Sequence, residues 1–155
     1  MHVNTGGHVN PPTERTLKIW GFWNTQGSAM GHPEDEAIRP WFYTWSLMAR
    51  LFPKGSRIVA ADSGPGVRTL ATAQQGALSV MVVNDSDTHR TVAVRVPGGG
   101  RHTMEMYRYF DKERPATAEG FPAVSRKLPA TDLAKGLQID LPSRGVVFLT
   151  MAPSR

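Results

Sequence analysis

The sequence predicts a mainly β fold: an antiparallel β-sandwich of seven to eight strands, preceded by one strand and one helix. Two observations predict it. From Arg57 onward, short apolar stretches follow period two and are separated by turn residues at regular intervals. Glycine (15) and proline (12) are abundant enough to supply those turns. A third observation, the crowding of all four tryptophans between Trp20 and Trp45, marks a stretch built differently from the rest.

Met1 to Thr16 is rich in Gly, Asn, Pro and His without a hydrophobic period, and is expected to be an irregular arm over residues 1–16. Leu17–Trp23 alternates well enough for a strand. Asn24 to His32 contains Gly27, Ser28 and Gly31 and reads as loop. Pro33-Glu34-Asp35-Glu36 has the composition of a helix first turn, because proline suits the first helical position and acids favour the positive end of the helix dipole. Pro40 restarts or kinks that helix. Trp41, Trp45, Met48 and Phe52 then fall at i, i+4, i+7 and i+11, one helical stripe that Phe42, Leu47 and Leu51 widen, which predicts a helix over Pro40–Phe52 buried on a broad face with Trp41 and Trp45 in the core. Pro53 and Gly55 stop it.

The sandwich is expected over residues 54–155. Its strands read as Arg57–Ala61, Val67–Thr72, the central Leu78–Val83, Thr91–Val96, Thr103–Phe110, a segment around Leu137, Ile139 and Leu141, and Gly145–Met151. Val92, Val94 and Val96 point inward. Met104 and Met106 share one face of their strand, and Glu105, Tyr107 and Tyr109 share the other. Asp111 to Ser125 is a long polar loop.

Composition excludes several function classes. No cysteine is present, so neither disulfides nor thiolate metal sites arise. The net charge of +5 is scattered over 18 basic and 13 acidic residues without a basic helix face, which reads as surface solvation rather than nucleic-acid binding. No apolar run approaches the roughly 18 residues of a membrane span, and no signal peptide is visible; the location is left open. Asn84, Asp85 and Asp87 are better explained by a polar turn than by calcium. His2 and His8 are a poor metal pair. No metal and no cofactor are expected.

The order Trp20-Gly-Phe-Trp-Asn-Thr-Gln, then Arg39-Pro-Trp-Phe-Tyr-Thr-Trp through Pro53-Lys-Gly-Ser-Arg-Ile-Val, then Leu78-Ser-Val-Met-Val-Val-Asn-Asp, resembles the C-terminal end of a clan A glycoside hydrolase. In that clan a (β/α)8 barrel is followed by a β-sandwich. The resemblance implies that residues 17–53 are the last strand and helix of the barrel and that residues 54–155 are the accessory sandwich. It implies carbohydrate, or the missing catalytic barrel, as partner. Such enzymes use two carboxylates, carried on barrel strands four and seven, so no catalytic residue is expected in this chain. Glu14 lies in loop-like sequence. Glu34, Asp35 and Glu36 read as helix-start charges.

By the same resemblance the end of the last barrel strand commonly carries a tryptophan that stacks on sugar, which makes Trp23 the first substrate-binding candidate. Asn24 and Gln26 are candidates for hydrogen bonds to sugar hydroxyls. Core packing of Trp23 and ordinary loop polarity of the other two remain the competing readings. Tyr107, Tyr109 and Glu105 read as paired aromatics on a half-exposed sheet before they read as a sugar surface. Three functions follow: a non-catalytic C-terminal region bracing a glycoside hydrolase barrel, a free-standing carbohydrate-binding module, or a structural domain that forms a homo-oligomer through residues 17–53.

Overall fold

The protein is described by a computed structural model at residues 21–23, 27–110 and 113–151. The chain divides into two compact units, with the division between Trp45 and Ser46.

In the first unit, the part of the expected strand Leu17–Trp23 that is described, Gly21–Trp23, is irregular; the remainder lies outside the described residues. Two short 3-10 helices follow, Ser28–Met30 and Pro33–Glu36. Gly27 precedes the first because a Cβ there would sit 2.4 Å from the carbonyl oxygen of His32. The Glu36 carboxylate accepts the Ser28 amide at 2.7 Å and is held below the ordinary carboxylate range by that bond. Helix α1 runs over Trp41–Leu51, separated from the 3-10 turns by the extended Ala37 and by Pro40. Thus the proline restarts a helix rather than kinking one. Arg39 ties the segment together, its backbone amide donating to the Phe22 carbonyl at 2.9 Å and its guanidinium to the Gly21 carbonyl at 3.0 Å.

The buried side of α1 is narrower than the broad face expected. Phe42 and Leu47 are buried, whereas Trp41 is 39% and Trp45 55% exposed. The expectation that both indoles are core is therefore corrected. Periodicity reveals which face of a helix is apolar, not whether anything covers it. Among the described residues, the phenyl ring of Phe22 lies 5.2 Å from that of Trp41 and 6.5 Å from that of Trp45, too small a neighbour to cover two indoles.

The second unit is antiparallel throughout. Its strands are β1 (Arg57–Val59), β2 (Val67–Gln74), β3 (Ala77–Asn84), β4 (Arg90–Val94), β5 (Arg101–Tyr109), β6 (Arg126–Asp132), β7 (Leu137–Leu141) and β8 (Val146–Met151). Six form one sheet in the order β1-β2-β3-β8-β5-β6, and β4 pairs with β7 in a two-stranded layer. The inner faces share one hydrophobic cluster that includes Val80, Val82, Met104, Met106, Leu149 and Ile139. Val92, Val94 and Val96 pack against it, as their alternation predicts.

Strand β6 had no counterpart in the sequence reading. It is an edge strand with a single fully buried position, Leu128, and it is interrupted by Pro129 and by Ala130 at φ 49°. Its alternation is weak because the proline and the positive φ break the strand's regular pleat and one buried position leaves little apolar pattern to read. Strand β8 is the opposite case. Its run Val146 to Thr150 is buried on both faces, since β8 lies between β3 and β5 with a layer on either side.

The outer face of the large sheet carries a second, smaller packing centre. Phe148 and Tyr107 are wholly buried there and sit opposite one another in register, beside Met81. Phe52 packs its ring edge-on to Phe148 at 6.2 Å, and Leu47 of α1 is wholly buried. The Tyr107–Tyr109 face is consequently not half-exposed: both rings are buried, and the Tyr109 hydroxyl donates to the Pro115 carbonyl at 2.6 Å.

Candidate functional site

Two residues along each strand from this apolar centre, the outer face changes character. The register aligns Thr72 of β2 with Ser79 of β3, Ser79 with Thr150 of β8, Thr150 with Glu105 of β5, and Glu105 with Lys127 of β6. Side chains at successive registered positions share a face. The result is one polar row crossing five strands. Thr72, Ser79 and Thr150 are buried, and the hydroxyls of Ser79 and Thr150 hydrogen-bond to one another at 2.9 Å. The row forms the floor of an open groove of about 1240 Å³, whose walls include Arg50 and Gln74.

The wall is held from beneath. Arg50 donates to the Tyr107 hydroxyl, and its guanidinium lies 5.1 Å from the centre of the Tyr107 ring. The same hydroxyl donates to Oε2 of Glu105 at 3.0 Å. A buried tyrosine therefore links a cation and an anion that both face the groove, and fixes the rotamer of each. Burial, only partly offset by the neighbouring Arg50 charge, pushes the Tyr107 hydroxyl up to about 12.

That shift predicts a pH dependence. Because the folded value lies above the ordinary 10 of the unfolded chain, the stability attached to the neutral phenol is complete below pH 10. It is lost as pH rises through about 12. Absorbance titration near 295 nm is expected to show one of the three tyrosines ionising late. Tyr107→Phe should remove that late step, and with it the corresponding slope of stability against pH.

Trp23, the first residue singled out from sequence, lies in the first unit. It is half-buried, stacked near Phe22 at 6.4 Å and edge-on to Phe42 at 6.1 Å. Asn24 and Gln26 lie outside the described residues. The carboxylates Glu34, Asp35 and Glu36 occupy their 3-10 turn as helix-start charges. Asp85 and Asp87 belong to a surface ion network, with Arg144 reaching both and Arg68 pairing with Asp85 at 3.0 Å. Among the described residues no group of three or more His, Asp or Glu side chains converges as a metal centre would require. Among the described residues Glu105 is the single carboxylate lining the groove.

The sequence reading put Glu105, Tyr107 and Tyr109 on one face but missed the groove. Its floor unites residues from 72 to 150, and no local pattern announces that Thr72, Ser79 and Thr150 will lie side by side. The clue available was the appearance of hydroxyl residues at single positions inside otherwise apolar strands.

No protein-family model matches the sequence, and no curated protein matches it. The fold does match solved structures. A glycoside hydrolase family 30 subfamily 8 xylanase from Clostridium acetobutylicum aligns over 85% of this chain and 31% of its own, with a TM-score of 0.63 and 12% identity. A family 30 endoxylanase from Clostridium papyrosolvens aligns over 75% of this chain and 28% of its own, with a TM-score of 0.60 and 13% identity. The catalytic domain of a family 30 xylanase C from Talaromyces cellulolyticus covers 76% of this chain and 25% of its own, at 0.55 and 16%. The likeness to clan A enzymes inferred from the Trp20–Asp85 segments thus holds at the level of fold. The chain spans under a third of the length of these xylanases. Among the described residues no helix is long and apolar enough to cross a membrane.

Proposed function

We propose that this chain is the non-catalytic C-terminal region of a glycoside hydrolase acting on a xylan-type polysaccharide, and that it braces the catalytic barrel. On this reading residues 17–53 are the end of the barrel and residues 54–155 the accessory sandwich. Trp23, with Asn24 and Gln26, is the chain's contribution to sugar contact. The observation that carries the proposal is the fold match, which takes in most of this chain and less than a third of each xylanase.

The test is an assay of the chain by itself on xylan and on aryl xylosides. The expected result is no turnover above the uncatalysed blank. Turnover that Glu105→Gln abolishes would overturn the proposal, because it would make the single groove carboxylate catalytic. In the same preparation, xylohexaose is expected to quench tryptophan fluorescence, and Trp23→Ala to remove part of that quench.

The exposure of Trp41 and Trp45, with Ile38 at 36%, favours a second reading for the first unit. Phe22 lies against both Trp41 and Trp45, exposed apolar groups brought together in this way mark protein contacts, and they would pack on the barrel or on a second copy. Sedimentation of the isolated chain tests the second copy: a concentration-dependent dimer that Trp45→Ser reverts to monomer identifies self-association, and a monomer at high concentration rules it out.

A further inference from the structure

The geometry points to a saccharide-binding site in the groove on the outer face of the six-stranded sheet, separate from Trp23. The floor is a row of polar side chains in register on five strands: Thr72, Ser79, Thr150, Glu105 and Lys127. Neighbouring strands lie about 4.8 Å apart, so these groups repeat at the scale of one pyranose ring and span about 19 Å. Their chemistry is mixed, three hydroxyls followed by a carboxylate and an ammonium. A carboxylate only accepts hydrogen bonds, an ammonium or guanidinium only donates, and a hydroxyl does both. Such a sequence of donors and acceptors complements a chain of sugar hydroxyls laid across the strands.

Two features show that the site is built rather than incidental. Thr72, Ser79 and Thr150 are buried hydroxyl residues in strands whose neighbours are apolar, and the hydrogen bond between Ser79 and Thr150 sets the orientation of two of them in advance. The wholly buried Tyr107 spends its hydroxyl on orienting Glu105 and receiving Arg50, so that both charges are held in place before any ligand arrives. The groove, about 1240 Å³, exceeds the ~300–1,000 Å³ usual for compact small-molecule pockets and suits an extended ligand. Among the described residues no Trp, Tyr or Phe lines it, so recognition there rests on hydrogen bonds more than on stacking.

The choice of sugar rests on the proposed function above, and the site itself does not. The experiment is a two-dimensional NMR titration of the chain with xylohexaose. Saturable shifts are expected at Ser79, Glu105 and Thr150. Glu105→Ala is expected to weaken them about tenfold, the equivalent of one hydrogen bond to a charged group. Lys127→Ala, an exposed change that leaves the core intact, should weaken them about threefold. Trp23→Ala should leave them unchanged. Shifts that vanish with Trp23→Ala and survive both groove variants would overturn the groove site while leaving the Trp23 reading standing. Absence of shifts at the groove with xylohexaose and with cellohexaose at tens of millimolar would also overturn it.

Discussion

Replacing Asn84 with aspartate is expected to destabilise the second unit by about 4 kcal/mol at neutral pH, read as the shift in a urea unfolding midpoint. The Asn84 side chain has no exposure to solvent. Its amide nitrogen donates to the carbonyls of Thr88 at 2.7 Å, Leu141 at 3.1 Å and Pro142 at 3.0 Å. Two hydrogens serve three carbonyls, so one bond is shared. Its carbonyl oxygen accepts the Ser86 hydroxyl at 2.7 Å and the Ser86 amide at 3.2 Å. One side chain thus closes the turn after β3 and pins it to the end of β7. Aspartate would set an oxygen against those three carbonyls, with no hydrogen between.

The introduced carboxyl escapes that repulsion by holding a proton, which raises its folded-state value above the unfolded one of about 3.9. Stability conferred by the proton is then complete below about pH 4 and lost as pH rises through the folded value. The deficit of Asn84→Asp should therefore shrink in acid. Asn84→Ala, which leaves carbonyls unpaired without adding charge, should cost about 3 kcal/mol with no such recovery. The adjacent ion network makes a useful contrast. Arg144 and Asp87 are 59% and 85% exposed. Arg144 holds Asp87 below its ordinary range, yet an ion pair between exposed side chains is screened by solvent and contributes little. Asp87→Asn should accordingly be almost silent.

Phe148→Ala is expected to cost about 4 kcal/mol in the same measurement, and Phe148→Leu much less. The ring is wholly buried on the outer face of β8, between Met81 and Tyr107 in register and against the edge of Phe52. Its removal leaves a cavity between two elements that meet through only a few side chains, and a cavity costs more where its walls cannot collapse. The loss should fall most heavily on the C-terminal half of α1. Amide hydrogen exchange at Leu47–Leu51 should speed up in Phe148→Ala more than exchange in β3, whose other face still rests on the main cluster.

Much of this protein is written in local pattern. Alternation at Val92, Val94 and Val96, the apolar run of Leu78 to Val83, and the closing Val146 to Leu149 each announce a strand, because a side chain's face depends only on its position along that strand. Pro33 and Pro40 mark the helix starts for the same local reason. What alternation does not carry is which strand lies beside which. The insertion of β8 between β3 and β5 is decided by contacts between residues about seventy positions apart, such as Ser79 with Thr150. From that single placement follow the burial of Tyr107, the polar row from Thr72 to Lys127 and the groove above it. The outward turn of Trp41 and Trp45 is likewise tertiary: helical spacing makes a face apolar, and only the packed neighbours determine whether that face is covered.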